Sequence, residues 1–176
     1  MGDYTLFCYG TLMAPQMLHR VIHGTTTPQP WQKDLIRFQP ARLYGYRRHR
    51  VQGAEYPGIF AESSPSETAV LGVLVSGLTE GDMYRLDRYE GSEYVKESVK
   101  VRTLHSKAHG KVTSEDELFK ELNAAESGAA REGDEVLATT YVWVAGKECL
   151  EEAEWDFERF KRDRLAWWVG AHESEW

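Results

Sequence analysis

Tyr4-Thr5-Leu6-Phe7-Cys8-Tyr9-Gly10-Thr11-Leu12 is the stretch on which the fold turns. Its first six residues are β-formers in a short apolar run, and Gly10 stops it, so it reads as a buried strand. Ala14-Pro15-Gln16 comes next, with Pro15 suited to the first turn of a helix. Met17, Leu18, Val21 and Ile22 then recur at helical spacing up to Gly24. The chain therefore begins strand, glycine turn, helix.

Working outward, Thr25 to Gln32 reads as a polar loop holding Pro28 and Pro30. Ala41 to Arg47 reads as a second strand with Gly45 as a bulge, and Tyr56-Pro57-Gly58-Ile59-Phe60 as a segment with an internal turn. Val70-Leu71-Gly72-Val73-Leu74-Val75 is a central strand. Thr79 caps a short helix through Leu86, with Met83 and Leu86 inward. Tyr94 to Val101 alternates as a half-buried strand, and Val136 to Val144 does the same. Glu154 to Val169 reads as one helix, with Phe157, Phe160, Arg164 and Trp168 on one face. Residues 105–135 hold eight acidic and four basic residues and read as a partly mobile surface insertion, with a helix capped at Ser114 and running through Leu122. Strands dominate and helices are scattered among them without βα alternation. The expected class is α+β, with a curled sheet or small mixed β-barrel and flanking helices.

The 176 residues make one domain, 1–176. Twenty-eight acidic against 21 basic residues give a net charge of −7, which argues against nucleic acid as a partner. No apolar run approaches the ~20 residues of a membrane span, and the first residues have neither a signal peptide's basic start nor its apolar stretch. Leu6 stands where a myristoylation signal needs Ser or Thr. Two cysteines make no disulfide framework, and a cytoplasmic, reduced protein is expected. The six Trp, nine Tyr and six Phe are the unusual feature: rings build a core despite few aliphatics, and tyrosines suggest a pocket with polar tips.

Several groups could carry chemistry. Tyr9-Gly10-Thr11-Leu12 is a turn whose N–H groups could hold an anion, or a plain strand-to-helix connection. Leu86-Asp87-Arg88-Tyr89-Glu90-Gly91 places two carboxylates three residues apart beside a glycine. One of them packed against rings would carry a raised pKa, whereas an ordinary helix end would leave both in water. His19/His23 and His105/His109 share i, i+4 spacing but lack the glutamate of a His-Glu-x-x-His helix and a third ligand, so no metal is expected. Cys8 sits mid-strand like a core residue, not a nucleophile.

The order of these blocks resembles the gamma-glutamylcyclotransferase-like superfamily. Leu6-Phe7-Cys8-Tyr9-Gly10-Thr11-Leu12 is similar to its N-terminal signature, Tyr56-Pro57-Gly58-Ile59 to its second block, and Leu86-Asp87-Arg88-Tyr89-Glu90-Gly91 with Tyr94-Val95-Lys96 to its catalytic block. The tail from Glu154 to Phe160 resembles the plant and fungal branch named for avirulence-induced genes. The resemblance implies a small mixed barrel with flanking helices. It also implies intramolecular aminolysis of a small γ-glutamyl substrate to 5-oxoproline, with no cofactor. It further implies Glu90 as general acid/base, the amides of Gly10, Thr11 and Leu12 as holders of the substrate α-carboxylate, and Tyr9 and Tyr141 as pocket wall. A non-catalytic binding or regulatory module on the same fold, and a hydrolase using Cys8, are the rival expectations.

Overall fold

A computed structural model describes residues 2–62, 68–105, 112, 114–171 and 175 of the chain. Among the described residues seven strands and six α-helices alternate irregularly: β1 (Tyr4–Cys8), α1 (Pro15–His23), α2 (Pro30–Leu35), β2 (Arg37–Tyr44), β3 (Tyr46–Arg50), β4 (Pro57–Ala61), β5 (Ala69–Leu78), α3 (Glu80–Glu90), β6 (Tyr94–His105), α4 (Glu115–Glu126), β7 (Arg131–Trp143), α5 (Phe157–Asp163) and α6 (Leu165–Gly170). Five strands close into a barrel in the order β1-β5-β2-β6-β7, and β3 and β4 form a separate hairpin sheet. The barrel is mixed, because β1 meets β7 in parallel at Leu6 and Thr139 while the β1–β5 and β6–β7 pairs are antiparallel. The expected α+β class with a small mixed barrel is the architecture observed.

Alternation along the strands makes two cores. Phe7, Val70, Leu74, Val99, Val101 and Ala138 pack together inside the barrel. Their strand neighbours Leu6, Cys8, Val73, Val75 and Tyr141 face outward, against Met17 and Leu18 of α1, Leu86 of α3, and Phe160 and Trp168 of the C-terminal helices. The candidate site opens in this second layer, between barrel wall and helices. Among the described residues, no helix is long and apolar enough to cross a membrane.

Five local readings need correction. Residues 30–35 are helical, not loop, because Pro30 occupies the first turn and Gln29 and Gln32 cap each other reciprocally. Ala41 to Arg47 is not one strand with a bulge: Gly45, at φ 86°, turns the chain out of the barrel and into the hairpin sheet. Pro57–Ala61 is a strand paired with Tyr46–Arg50, so Pro57 and Gly58 do not turn it. The helix capped by Thr79 continues past Leu86 to Glu90. The tail is two short helices and not one, broken where Arg164 leaves helical geometry at φ −130°, ψ −20°.

The segment 105–135 is more closely built into the fold than an excursion suggests. His105 ends β6 and Arg131 begins β7. Between them α4 starts at the Ser114 cap and runs past Leu122 to Glu126. It buries Leu118, Leu122 and Ala125, which fall at i, i+4 and i+7, and packs on β2 and β5. The mobility expected for the segment falls partly on residues outside those described. Because Leu118 is fully buried, Leu118→Ala should lower stability by about 2–4 kcal/mol in urea unfolding. A change under about 0.5 kcal/mol would show that α4 does not dock.

Candidate functional site

Three main segments of the chain, joined by Tyr56 and by Trp168, converge on one cavity of about 340 Å3, lined among others by Cys8, Tyr9, Gly10, Thr11, Leu12, Tyr89, Glu90, Tyr94 and Tyr141. The first segment is the end of β1. After Tyr9 the chain enters a 3-10 turn, Thr11–Met13, before α1. The first N–H groups of such a turn have no acceptor within it, so Thr11 and Leu12 bring backbone donors to the cavity wall. Gly10 is needed for a close approach: a Cβ there would lie 2.9 Å from the Pro57 ring.

The second segment is α3. Thr79 caps it, accepting from the Asp82 N–H while Asp82 accepts from the Thr79 N–H. That cap sets the phase of the whole helix. Met83 and Leu86 are buried, and Glu90 lies four residues beyond Leu86 on the same face. Glu90 therefore turns inward at the last helical position, and Gly91 ends the helix. Asp87 lies one turn back and is half-exposed. It accepts from the Tyr141 hydroxyl at 2.7 Å and from the Lys96 ammonium at 2.9 Å. Those two donors reach it together because Lys96 and Tyr141 are cross-strand partners on β6 and β7.

The third segment is this β6–β7 ladder, with Tyr94 beside Trp143. The tyrosine hydroxyls around the cavity are engaged away from Glu90. Tyr9 donates to the Tyr141 carbonyl at 2.6 Å, Tyr94 to the Pro57 carbonyl at 2.7 Å, and Tyr56 to Glu93 at 3.1 Å. The hydroxyls of Tyr89 and Thr11 are 2.7 Å apart and hydrogen-bonded. Glu90 is thus half-buried beside these rings. Burial, with a smaller push from the Asp87 charge, raises its carboxyl from 4.5 to about 8. Burial and the Glu90 charge also push the Cys8 thiol well above its ordinary value. A thiol held protonated is a poor nucleophile, which weighs against a Cys8 hydrolase.

All six residues named from the sequence, Tyr9, Gly10, Thr11, Leu12, Glu90 and Tyr141, line this one cavity. Sequence reasoning missed Arg48 and Trp168. The Trp168 ring reaches the cavity from α6 and meets Tyr56 and Tyr89 edge-on. Its place on the apolar face of the tail was the available signal. Arg48 lies within a basic run, Arg47 to Arg50, that carries no sign of burial. A wider groove of about 1410 Å3 shares no lining residue with the cavity and brings no comparable carboxyl among rings. His19 and His23 pair with each other at 3.0 Å, and His109 lies outside the described residues. Among the described residues no three potential metal ligands cluster.

Comparison with known proteins bears on the family and the fold. A family model described as "Gamma-glutamyl cyclotransferase, AIG2-like" matches residues 6–157. Protein AIG2 B of Arabidopsis thaliana is 26% identical over 91% of this chain and 72% of its own length. AIG2-like protein B of the same plant is 25% identical over 96% of this chain and 75% of its own. An Arabidopsis thaliana protein solved in solution superimposes with a TM-score of 0.54 at 24% identity, over 90% of this chain and 80% of that one. A structure titled "Gamma-glutamyl cyclotransferase" superimposes with a TM-score of 0.51 at 18% identity, over 84% and 68% of the two chains. These superpositions show a shared fold.

The raised Glu90 carboxyl has a consequence for stability. Below about pH 4.5 folded and unfolded chains both hold its proton. Between 4.5 and about 8 only the folded chain does, so stability falls as pH rises through that window. Glu90→Gln does not titrate. Its Tm should match the wild type near pH 4.5 and exceed it by about 3–8 °C at pH 8. A difference independent of pH in thermal scans would place the Glu90 carboxyl in water.

Proposed function

The chain belongs to the gamma-glutamyl cyclotransferase, AIG2-like family, and on that premise we propose that it converts a small γ-glutamyl amine or peptide to 5-oxoproline and a free amine, with Glu90 as general acid and base. The observation that carries this reading is the Glu90 carboxyl, raised to about 8 in an aromatic cavity that Gly10, Thr11 and Leu12 also line.

The substrate's α-amine enters as an ammonium and is not nucleophilic. Beside ionised Glu90 in a low-dielectric cavity, transfer of one proton neutralises both groups, which the surroundings favour. The free amine attacks the γ-carbonyl of its own chain, forming the ring C–N bond. As the tetrahedral centre collapses, the bond to the departing nitrogen breaks. In total the ring nitrogen gives up two protons and the departing nitrogen takes up two. One carboxyl cycling twice balances the reaction.

Holding the α-carboxylate at the Gly10–Leu12 turn would fix where the α-amine stands. The substrate's own chain supplies proximity, so no cofactor is invoked. Tyr9 and Tyr141 act as wall: their hydroxyls are occupied with the Tyr141 carbonyl and Asp87, and their rings keep water from the carboxyl.

A panel of γ-glutamyl amino acids, γ-glutamylamines and glutathione, assayed for 5-oxoproline, tests the proposal. The wild type should turn over at least one member. Folded Glu90→Gln should lose about 10²–10⁴-fold in kcat; full activity in that variant would remove Glu90 from the chemistry. For the wild type, kcat/KM should rise about tenfold per pH unit and level off near 8, since free enzyme must present ionised Glu90 to an ammonium substrate. A flat profile between pH 6 and 8 contradicts the raised carboxyl. Binding of 5-oxoproline without turnover of any panel member would instead favour a binding module.

A further inference from the structure

We propose that Arg48 is a positioning residue for substrate binding: from outside the cavity its guanidinium fixes the Tyr9–Gly10 peptide so that the Gly10 N–H faces the substrate carboxylate. The inference rests on the proposed cyclotransferase function and adds a residue that contacts no substrate.

Arg48 lies on β3, in the hairpin sheet, and its side chain is only 8% exposed. A cation so deeply placed needs partners. One terminal nitrogen donates to the Tyr9 carbonyl at 2.8 Å and the Leu71 carbonyl at 3.1 Å. The other meets the Glu154 carboxylate at 2.8 Å. The Trp155 ring covers the group at 5.7 Å. Arg48 thereby ties the end of β1, β5 and the start of the C-terminal segment together at one atom cluster.

The bond to Tyr9 has a directional consequence. No peptide bond here is cis, and across a trans peptide the C=O and N–H point in opposite directions. With the Tyr9 carbonyl held toward Arg48, the Gly10 N–H points away from it. Gly10 lines the cavity and Arg48 does not. On the other flank the Pro57 ring leaves no room for a Cβ at Gly10. The peptide plane is clamped between a charge and a ring. A carbonyl that accepts from a cation also polarises its peptide, so the N–H becomes a better donor to an anion. Glu90 hangs from α3, apart from this clamp, so losing Arg48 should weaken binding more than it slows chemistry.

The test compares wild type, Arg48→Met and Arg48→Lys on the γ-glutamyl compound the wild type turns over, with 5-oxoproline binding measured by calorimetry. Leu118→Ala, which costs stability at a residue that does not line the cavity, serves as control. Arg48→Met should raise KM and the 5-oxoproline Kd about tenfold or more, with kcat changed less than about threefold. Arg48→Lys should shift both constants in the same direction by less, and it carries the test if Arg48→Met does not fold. Leu118→Ala should leave KM unchanged. A folded Arg48 variant with wild-type KM and Kd overturns the inference while leaving the proposed function standing. A KM rise of equal size in Leu118→Ala also overturns it, since general loosening would then suffice. If the wild type neither turns over the panel nor binds 5-oxoproline, both readings fall together.

Discussion

The site depends on keeping one carboxyl among rings. Glu90 ends α3, where the helix dipole already disfavours negative charge, and burial adds to the cost. The nearest charge that acts on it, Asp87, is of the same sign and raises that cost further. A tyrosine hydroxyl has one proton to donate, and those of Tyr9, Tyr56, Tyr94 and Tyr141 give theirs to the Tyr141 carbonyl, Glu93, the Pro57 carbonyl and Asp87. The rings therefore surround Glu90 without those four hydroxyls donating to it. That arrangement favours the neutral acid, and under the proposed function an arriving ammonium is the partner of the ionised form.

Such an arrangement requires rigid support, and the barrel supplies it. The cavity wall is drawn from β1, β7, the first residues of β6 and the end of α3. The three strands belong to one closed barrel, so none can shift alone. The helix is fixed at its start by the Thr79–Asp82 capping box and along its length by Met83 and Leu86. The C-terminal helices close the outer side, where Trp155, Phe160 and Trp168 stack tilted or edge-on. Docking the tail and shaping the cavity are thus one event, because Trp168 takes part in both.

Much of this was legible in local chemistry. Thr79 and the spacing of Met83 and Leu86 define the start of α3 and its inward face with no tertiary information, though not its last turn to Glu90. The Tyr9-Gly10-Thr11 turn was readable in the same way. What was not legible had its cause elsewhere in the chain. Pro57 and Gly58 look like turn residues but lie in a strand because Tyr46–Arg50 pairs with them. The tail breaks at Arg164 without glycine or proline, while Leu165 and Trp168 are both buried against the domain. In α4 the acidic residues obscured Leu118, Leu122 and Ala125, three small signals at helical spacing. Arg48 was invisible because its surroundings come from Tyr9, Leu71 and Glu154, all far away in sequence.

The two carboxylates of α3 show how environment separates residues that composition treats alike. Asp87 and Glu90 are one helical turn apart. Asp87 has an ammonium on one oxygen and a phenol on the other, and it keeps contact with water. Glu90 has rings and Asp87's own negative charge, and both oppose ionisation. The Asp87 charge thereby raises the Glu90 carboxyl, and Lys96 and Tyr141 fix where that charge stands. A proton shuttle needs a group that changes state and a surrounding that does not. Under the proposed function chemistry falls to Glu90, which lines the cavity, while the two Asp87 oxygens are taken by Lys96 and Tyr141.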